Sequence, residues 1–132
     1  MAKSLIYTRN NVNQALIAGS TIDVGSVIRR FGQNITLNGN AINLSGAGYY
    51  KVSANVEVTG TAAGDVTIEL LKDGILYDSR DITIAEDAVA VIPFDTVIRL
   101  YGCCTDNSTN LTFVLNGAAE TISGISVVIT KE

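Results

Sequence analysis

The sequence holds no histidine, no tryptophan, one proline and two cysteines among 132 residues. Without histidine, neither a Ser-His-Asp nor a Cys-His nucleophilic arrangement can form, and the histidine-containing zinc motifs are excluded with them. The two cysteines are neighbours, Cys103-Cys104. A disulfide between adjacent residues closes a strained ring, and two thiolates alone do not complete a zinc site. They read as two reduced thiols, one facing in and one facing out; a role between subunits near a symmetry axis is the alternative. The missing tryptophan removes the usual sugar-stacking platform from the loop tips Gly60–Gly64 and Thr105–Asn110.

Charge is also scarce. Only 17% of the residues are charged, against about 25% in an average protein. Such a surface fits a chain that hides part of itself in an oligomer. The net charge is -4, and the nine basic residues are scattered, with Arg29-Arg30 the only adjacent pair. Binding to a phosphate backbone or an anionic membrane needs clustered Lys or Arg, so neither is an expected partner. No apolar run approaches the ~20 residues that span a bilayer. The start, Met1 to Arg9, lacks an apolar stretch of signal-peptide length. The expectation is a protein made and kept in a cytosol unless it leaves as part of an assembly.

Phosphate-binding glycine motifs are absent. Asp73-Gly74 and Asp106-Asn107 lack the alternating ligands of a calcium loop, although a calcium ion bridging loop carboxylates stays open. No cofactor and no metal are expected. The acid pairs Asp65 and Glu69, Asp78 and Asp81, and Glu86 and Asp87 read as solvated carboxylates at turns and outward faces. Paired-carboxylate catalysis needs a set separation across a cleft, which strand spacing does not supply. Four Asn-x-Ser/Thr triplets, at Asn34, Asn43, Asn107 and Asn110, read as turn chemistry.

What is present is alternation. From Gly46 to Val58, the residues Tyr50, Val52, Ala54, Val56 and Val58 share one side, and Tyr49, Lys51, Ser53, Asn55 and Glu57 share the other. That period of two marks a long strand with one apolar face. Val89 to Tyr101 is a second, with Ile92, Phe94, Thr96, Ile98 and Leu100 on one side. It holds the single proline, Pro93, which donates no ladder hydrogen bond and points to a sheet edge or bulge. Val66, Ile68 and Leu70, then Leu111, Phe113 and Leu115, then Ile125, Val127 and Ile129 mark further inward faces. Leu5 to Thr8, Gln14 to Ala18 and two pieces of Thr21 to Phe31 around Gly25 are shorter strands. Asn38-Gly39-Asn40 and Lys72-Asp73-Gly74 read as hairpin turns. Gly102 to Asn110 reads as a loop. No helical period is found. Turn signals recur at the spacing of sandwiches and barrels, and about ten strands make a two-sheet antiparallel sandwich the economical all-β architecture, in one domain over 1–132.

The sides opposite the core are not uniformly polar. Tyr7, Tyr49, Val91, Val97, Tyr101 and Val128 lie there, on the first, the two longest and the last strands. Several such residues on one sheet point to a protein interface, where tyrosine is enriched.

Gly48-Tyr49-Tyr50-Lys51-Val52-Ser53, Val66 to Gly74 with its Lys-Asp-Gly turn, and the closing strand Ile122 to Thr130 resemble the tumour-necrosis-factor-like jelly rolls. That superfamily includes the globular heads of complement's first component and of bacterial spore-surface filaments. Through Met1 to Thr8, Ile28-Arg29-Arg30-Phe31-Gly32, Ala47-Gly48-Tyr49-Tyr50 and Leu111 to Leu115, the whole chain is similar to small structural proteins of phages and prophages of gut Firmicutes. The resemblance implies a jelly-roll homotrimer and no enzymatic activity. In the superfamily the sheet with the first, last, Gly-x-Tyr and second long strands faces the threefold axis. The implied interface is Tyr7, Tyr49, Lys51, Ser53, Asn55, Val91, Val97, Tyr101 and Val128, with Lys51 and Glu57 placed for ion pairs between subunits. The implied role is a capsid decoration or head-fibre module of a virion, bound to a capsid or fibre protein. A glycan- or host-receptor-binding module is the alternative. There is no collagen-like stalk, and residues 1–10 are the expected first strand and tether.

Overall fold

The computed structural model describes residues 3–61, 63–101, 108–117 and 120–131. The expectations for Cys103 and Cys104, for the loop tip at 105–107 and its Asn107 triplet, and for the first two residues of the tether fall outside them. The described chain is all β. Its elements are β1 (Ser4–Asn10), β2 (Gln14–Leu16), β3 (Ser20–Thr21), β4 (Ser26–Phe31), β5 (Ile35–Asn38), β6 (Ala41–Ser45), β7 (Gly48–Thr59), β8 (Gly64–Lys72), β9 (Ile75–Ile84), β10 (Val89–Leu100), β11 (Ser108–Gly117) and β12 (Glu120–Lys131). These twelve exceed the expected ten. β2, of three residues, falls within the short strand expected over Gln14 to Ala18, and β3, of two, sits at the start of the piece expected from Thr21.

Two antiparallel sheets pack face to face as a jelly-roll sandwich. The first runs β10-β7-β12-β1-β4, with β2 added beside β1 on β12. The second runs β5-β6-β11-β8-β9, with β3 added on β11. Their inner faces carry the alternation read from sequence. Tyr50, Val52, Ala54, Val56 and Val58 of β7, Val66, Ile68 and Leu70 of β8, Phe113 of β11, and Ile125, Val127 and Ile129 of β12 join one buried cluster. Phe94 and Phe113 meet edge to face across the sheets at 5.8 Å, the arrangement favoured by their ring quadrupoles.

Pro93 sits where its missing N–H predicts: β10 is an edge strand. Asp95 and Val97, of the same odd-numbered series, turn their carbonyls outward. Tyr77 Oη donates to Val97 O at 2.6 Å and Arg80 Nη2 to Asp95 O at 3.2 Å. Arg80 also lies over the Phe94 ring at 4.6 Å. Side chains of β9 thus cover an edge that would otherwise invite another strand.

Two details depart from the sequence expectation. β11 begins at Ser108, so 108–110, expected as loop, are strand. They pair with Ser45, Leu44 and Asn43 of β6. Asn43 Nδ2 donates to Asn110 Oδ1 at 3.0 Å, a side-chain pair that local polarity alone does not announce. In β12 the register shifts between Ile122 and Gly124. The extra residue of this bulge turns both Ile122 and Ile125 inward, although they are three apart.

Candidate functional site

β1, β12, β7 and β10 share one sheet, and its outer face is built by their second residues. The register aligns them in rows. Val97, Lys51, Thr130 and Leu5 form one; Asp95, Ser53, Val128 and Tyr7 form the next; Pro93, Asn55, Ser126 and Arg9 form a third. All nine residues expected at a subunit interface fall on this face, Tyr101 directly after β10. They do not contribute equally. Tyr49 is 50% exposed, Val91 56%, Val97 51% and Tyr101 64%. Tyr7 and Val128, opposite one another in the ladder, are already half-buried by their neighbours. Lys51 and Asn55 are exposed and Ser53 is half-buried.

Arg99 was not singled out by the sequence. It pairs with Tyr49 across the ladder and follows the alternation to Tyr101. Its guanidinium lies 5.1 Å from the Tyr49 ring centroid and 4.3 Å from that of Tyr101. The three form an exposed aromatic–cation–aromatic cluster at the end where β7 begins. The signal available in sequence was the i, i+2 spacing of Arg99 and Tyr101; the facing Tyr49 required the register.

Toward the other end of the face, the Gly124 bulge leaves a shallow hollow of about 190 Å³ bounded by Tyr7, Arg9, Asn55, Glu57, Val91 and Ser126. Glu57 Oε1 accepts the Ser123 hydroxyl at 2.9 Å and Arg9 Nε donates to Asn11 at 3.3 Å. The face therefore pairs an apolar and aromatic end with a polar hollow.

A second exposed apolar set was also missed. β4, at the far edge of the same sheet, is exposed throughout, with Ile28 and Phe31 open to solvent. Ile28 is the extra residue where the β1–β4 register shifts between Tyr7 and Thr8. The start of β9 likewise exposes Ile75 and Leu76.

The carboxylates are locally bonded, and two of them, Asp65 of β8 and Asp81 of β9, line one open hollow with Thr67 and Thr83. Asp81 accepts the Thr67 hydroxyl and Asp65 that of Thr83, each at 2.7 Å. Glu69 accepts from Asn116 at 3.1 Å, and Asp78 pairs with Arg80 at 2.9 Å. Among the described residues no three His, Cys, Asp or Glu side chains gather to hold a metal. Asn34 and Asn43 are spent on structure: Asn34 Nδ2 donates to Ser45 O at 2.6 Å, and Asn43 Nδ2 bridges to β11.

Comparison with solved structures gives the fold its class. The chain is similar to murine APRIL at pH 5.0, with 13% identity, a TM-score of 0.64 and coverage of 98% of this chain and 99% of that one. It is similar to the PRD1 vertex protein P5, with 12% identity and a TM-score of 0.63 over 98% of this chain and 72% of that one. The globular domain of zebrafish complement 1qA matches with 6% identity and a TM-score of 0.62, over 96% of this chain and 94% of that one. The fold is a TNF-like, complement-head-like jelly roll. At these identities the likeness is one of architecture. No protein-family model and no curated protein matches the sequence.

Proposed function

We propose that the chain is a non-enzymatic structural module that forms a homotrimer through the outer face of the β10-β7-β12-β1 sheet and docks on a larger assembly, as a phage capsid decoration or head-fibre protein of the virion. The observation that carries the self-association is the exposure of Tyr49, Val91, Val97 and Tyr101 together on that face, with Arg99 between the two tyrosines. Tyr and Arg are the residue types on which interfaces concentrate their binding energy. Lys51 and Glu57 lie on the same face for ion pairs between copies. The likeness to a vertex protein supports the virion role. Virions purified by density gradient from a strain carrying the gene, analysed by mass spectrometry, should contain the chain in a fixed ratio to the capsid protein. Particles that lack it overturn the virion role, and capsid and portal genes beside its own are the matching expectation.

A further inference from the structure

β4 ends its sheet: it pairs with β1 on one side and with no strand on the other. Beyond that ladder its backbone makes no hydrogen bond among the described residues. A row of open N–H and C=O groups is the template for a further strand. The opposite edge of the same sheet is treated differently, since Tyr77 and Arg80 cover β10 by bonding its carbonyls. Edges are guarded by charge, proline, bulges or cover. β4 has a bulge and two arginines, but it also exposes Val27, Ile28 and Phe31, which guarding does not call for. The register shift re-aims Ile28, its extra residue, off the ladder.

Charge says what kind of strand fits. Of the thirteen acidic residues only Asp23 precedes Glu57, whereas five of the nine basic ones do. That one acid accepts the Gly25 N–H at 2.8 Å. The fold gathers four of the five cations: Arg29 and Arg30 on β4, Arg9 on β1 beside it, and Lys3 directly before β1. All four are exposed, and none pairs with an acid among the described residues. Arg30 Nε donates to Ile35 O at 2.7 Å, and Arg29 makes no hydrogen bond there. In a chain of net charge -4 this edge is a local surplus of positive charge. A second copy pairing antiparallel through the same edge would bring the two Arg29-Arg30 pairs together, and like charges opposed across a ladder destabilise it. The complement is a strand that carries acids.

We propose that the β4 edge binds an extended acidic segment of a protein partner, which adds to β4 as a strand, sets carboxylates against Arg29 and its basic neighbours, and covers Ile28 and Phe31. Main-chain pairing supplies the affinity and the charges choose the partner. β4 lies outside the four strands proposed for self-association. The inference rests on the proposed docking role only in taking the partner to be a protein, and its test reads peptide binding and assembly mass separately.

The test titrates the full-length, ¹⁵N-labelled chain with the synthetic peptide Ac-EVEVEVE-NH2. The controls are Ac-KVKVKVK-NH2, oligothymidylate, and Ac-EPEPEPE-NH2, which keeps the charge but lacks the alternate amide donors. The acidic valine peptide should shift the amide resonances of Ser26 to Phe31 saturably and slow their hydrogen exchange, and the controls should not. Arg29→Glu should weaken that peptide roughly tenfold or more and gain binding of the lysine peptide, because opposite charges across a ladder attract and like charges repel. Ile28→Ser, at an exposed position that leaves the core intact, should weaken it through the lost apolar cover. Sedimentation equilibrium of Arg29→Glu should give the same mass as the wild type; a lower mass would place Arg29 in the self-association face and overturn the assignment. So would no saturable shift with the acidic valine peptide, equal binding of any control, or wild-type affinity in Arg29→Glu.

Discussion

At the scale of single residues, Tyr50 shows how far alternation reaches and where it stops. Its inward direction follows from the period of two along β7. Its partners do not: Tyr50 Oη lies 2.8 Å from both Ser45 O and Gly46 O, backbone acceptors with no mark in the sequence. Through them the ring ties the β6–β7 connection to the core. Tyr50→Phe should lower stability by about 1–2 kcal/mol, read from urea unfolding, because two carbonyls lose their donor. Burial also pushes the Tyr50 pKa above its ordinary value. The unfolded chain ionises this phenol near pH 10, while the folded chain holds the proton to higher pH. Above pH ~10 the folded state thus binds more protons than the unfolded state, and stability falls as pH rises. This contribution is fully present below pH ~10 and is lost through the folded-state pKa. Wild type should show it as a steeper alkaline decline than Tyr50→Phe.

The Asp73-Gly74 turn was legible because its chemistry is local. Both residues adopt positive φ, 53° and 81°, as the tight hairpin between β8 and β9 requires. Asp73 also accepts the Thr109 hydroxyl at 2.6 Å and the Asn110 N–H at 2.9 Å, anchoring the start of β11, which no local pattern announces. A Cβ at Gly74 would meet nothing within 4 Å. Gly74→Ala therefore isolates the backbone cost and should destabilise by about 1–2 kcal/mol in thermal or urea unfolding.

At the scale of elements, long strands with one clean apolar face were readable, and the pairing between them was not. Val66–Leu70, Leu111–Leu115 and Ile125–Ile129 each announce a buried face, whereas which strands adjoin depends on contacts far apart in sequence. The shared row of Tyr7, Val128, Ser53 and Asp95 is the product of three ladders. The bulge at Gly124 and the unpaired Ile28 of β4 are likewise properties of pairs. The two sheets are joined where Phe94 of β10 meets Phe113 of β11. Phe113→Ala empties that contact in a fully buried position and should cost about 3–5 kcal/mol, measured by chemical denaturation.

At the scale of the whole molecule, the jelly-roll class was carried by the Gly48-Tyr49-Tyr50 strand entry, the Lys72-Asp73-Gly74 turn and the closing strand, all of which the structure places as the resemblance implied. Six of the nine residues of the proposed interface, Tyr7, Tyr49, Val91, Val97, Tyr101 and Val128, were legible as hydrophobes on the wrong side of a strand, and Lys51, Ser53 and Asn55 entered only through the resemblance; the alignment of all nine on one face needed the sheet order. Arg99 was missed, because a charged residue gains its meaning from what surrounds it. The proposed assembly brings the face bearing Tyr49, Arg99 and Tyr101 against other copies of the chain. Burying a face of this kind in a trimer removes on the order of 1,200–2,000 Å² per pair. Tyr49→Lys should weaken association by about 2 kcal/mol while leaving the core of Tyr50, Val52, Ala54, Val56 and Val58 intact. Sedimentation equilibrium at micromolar concentration is the most direct measurement. The wild type should have about three times the 13.9 kDa chain mass, and Tyr49→Lys should shift toward a single chain. A wild type at the mass of one chain, or a Tyr49→Lys variant as trimeric as the wild type, would contradict the assignment of that face.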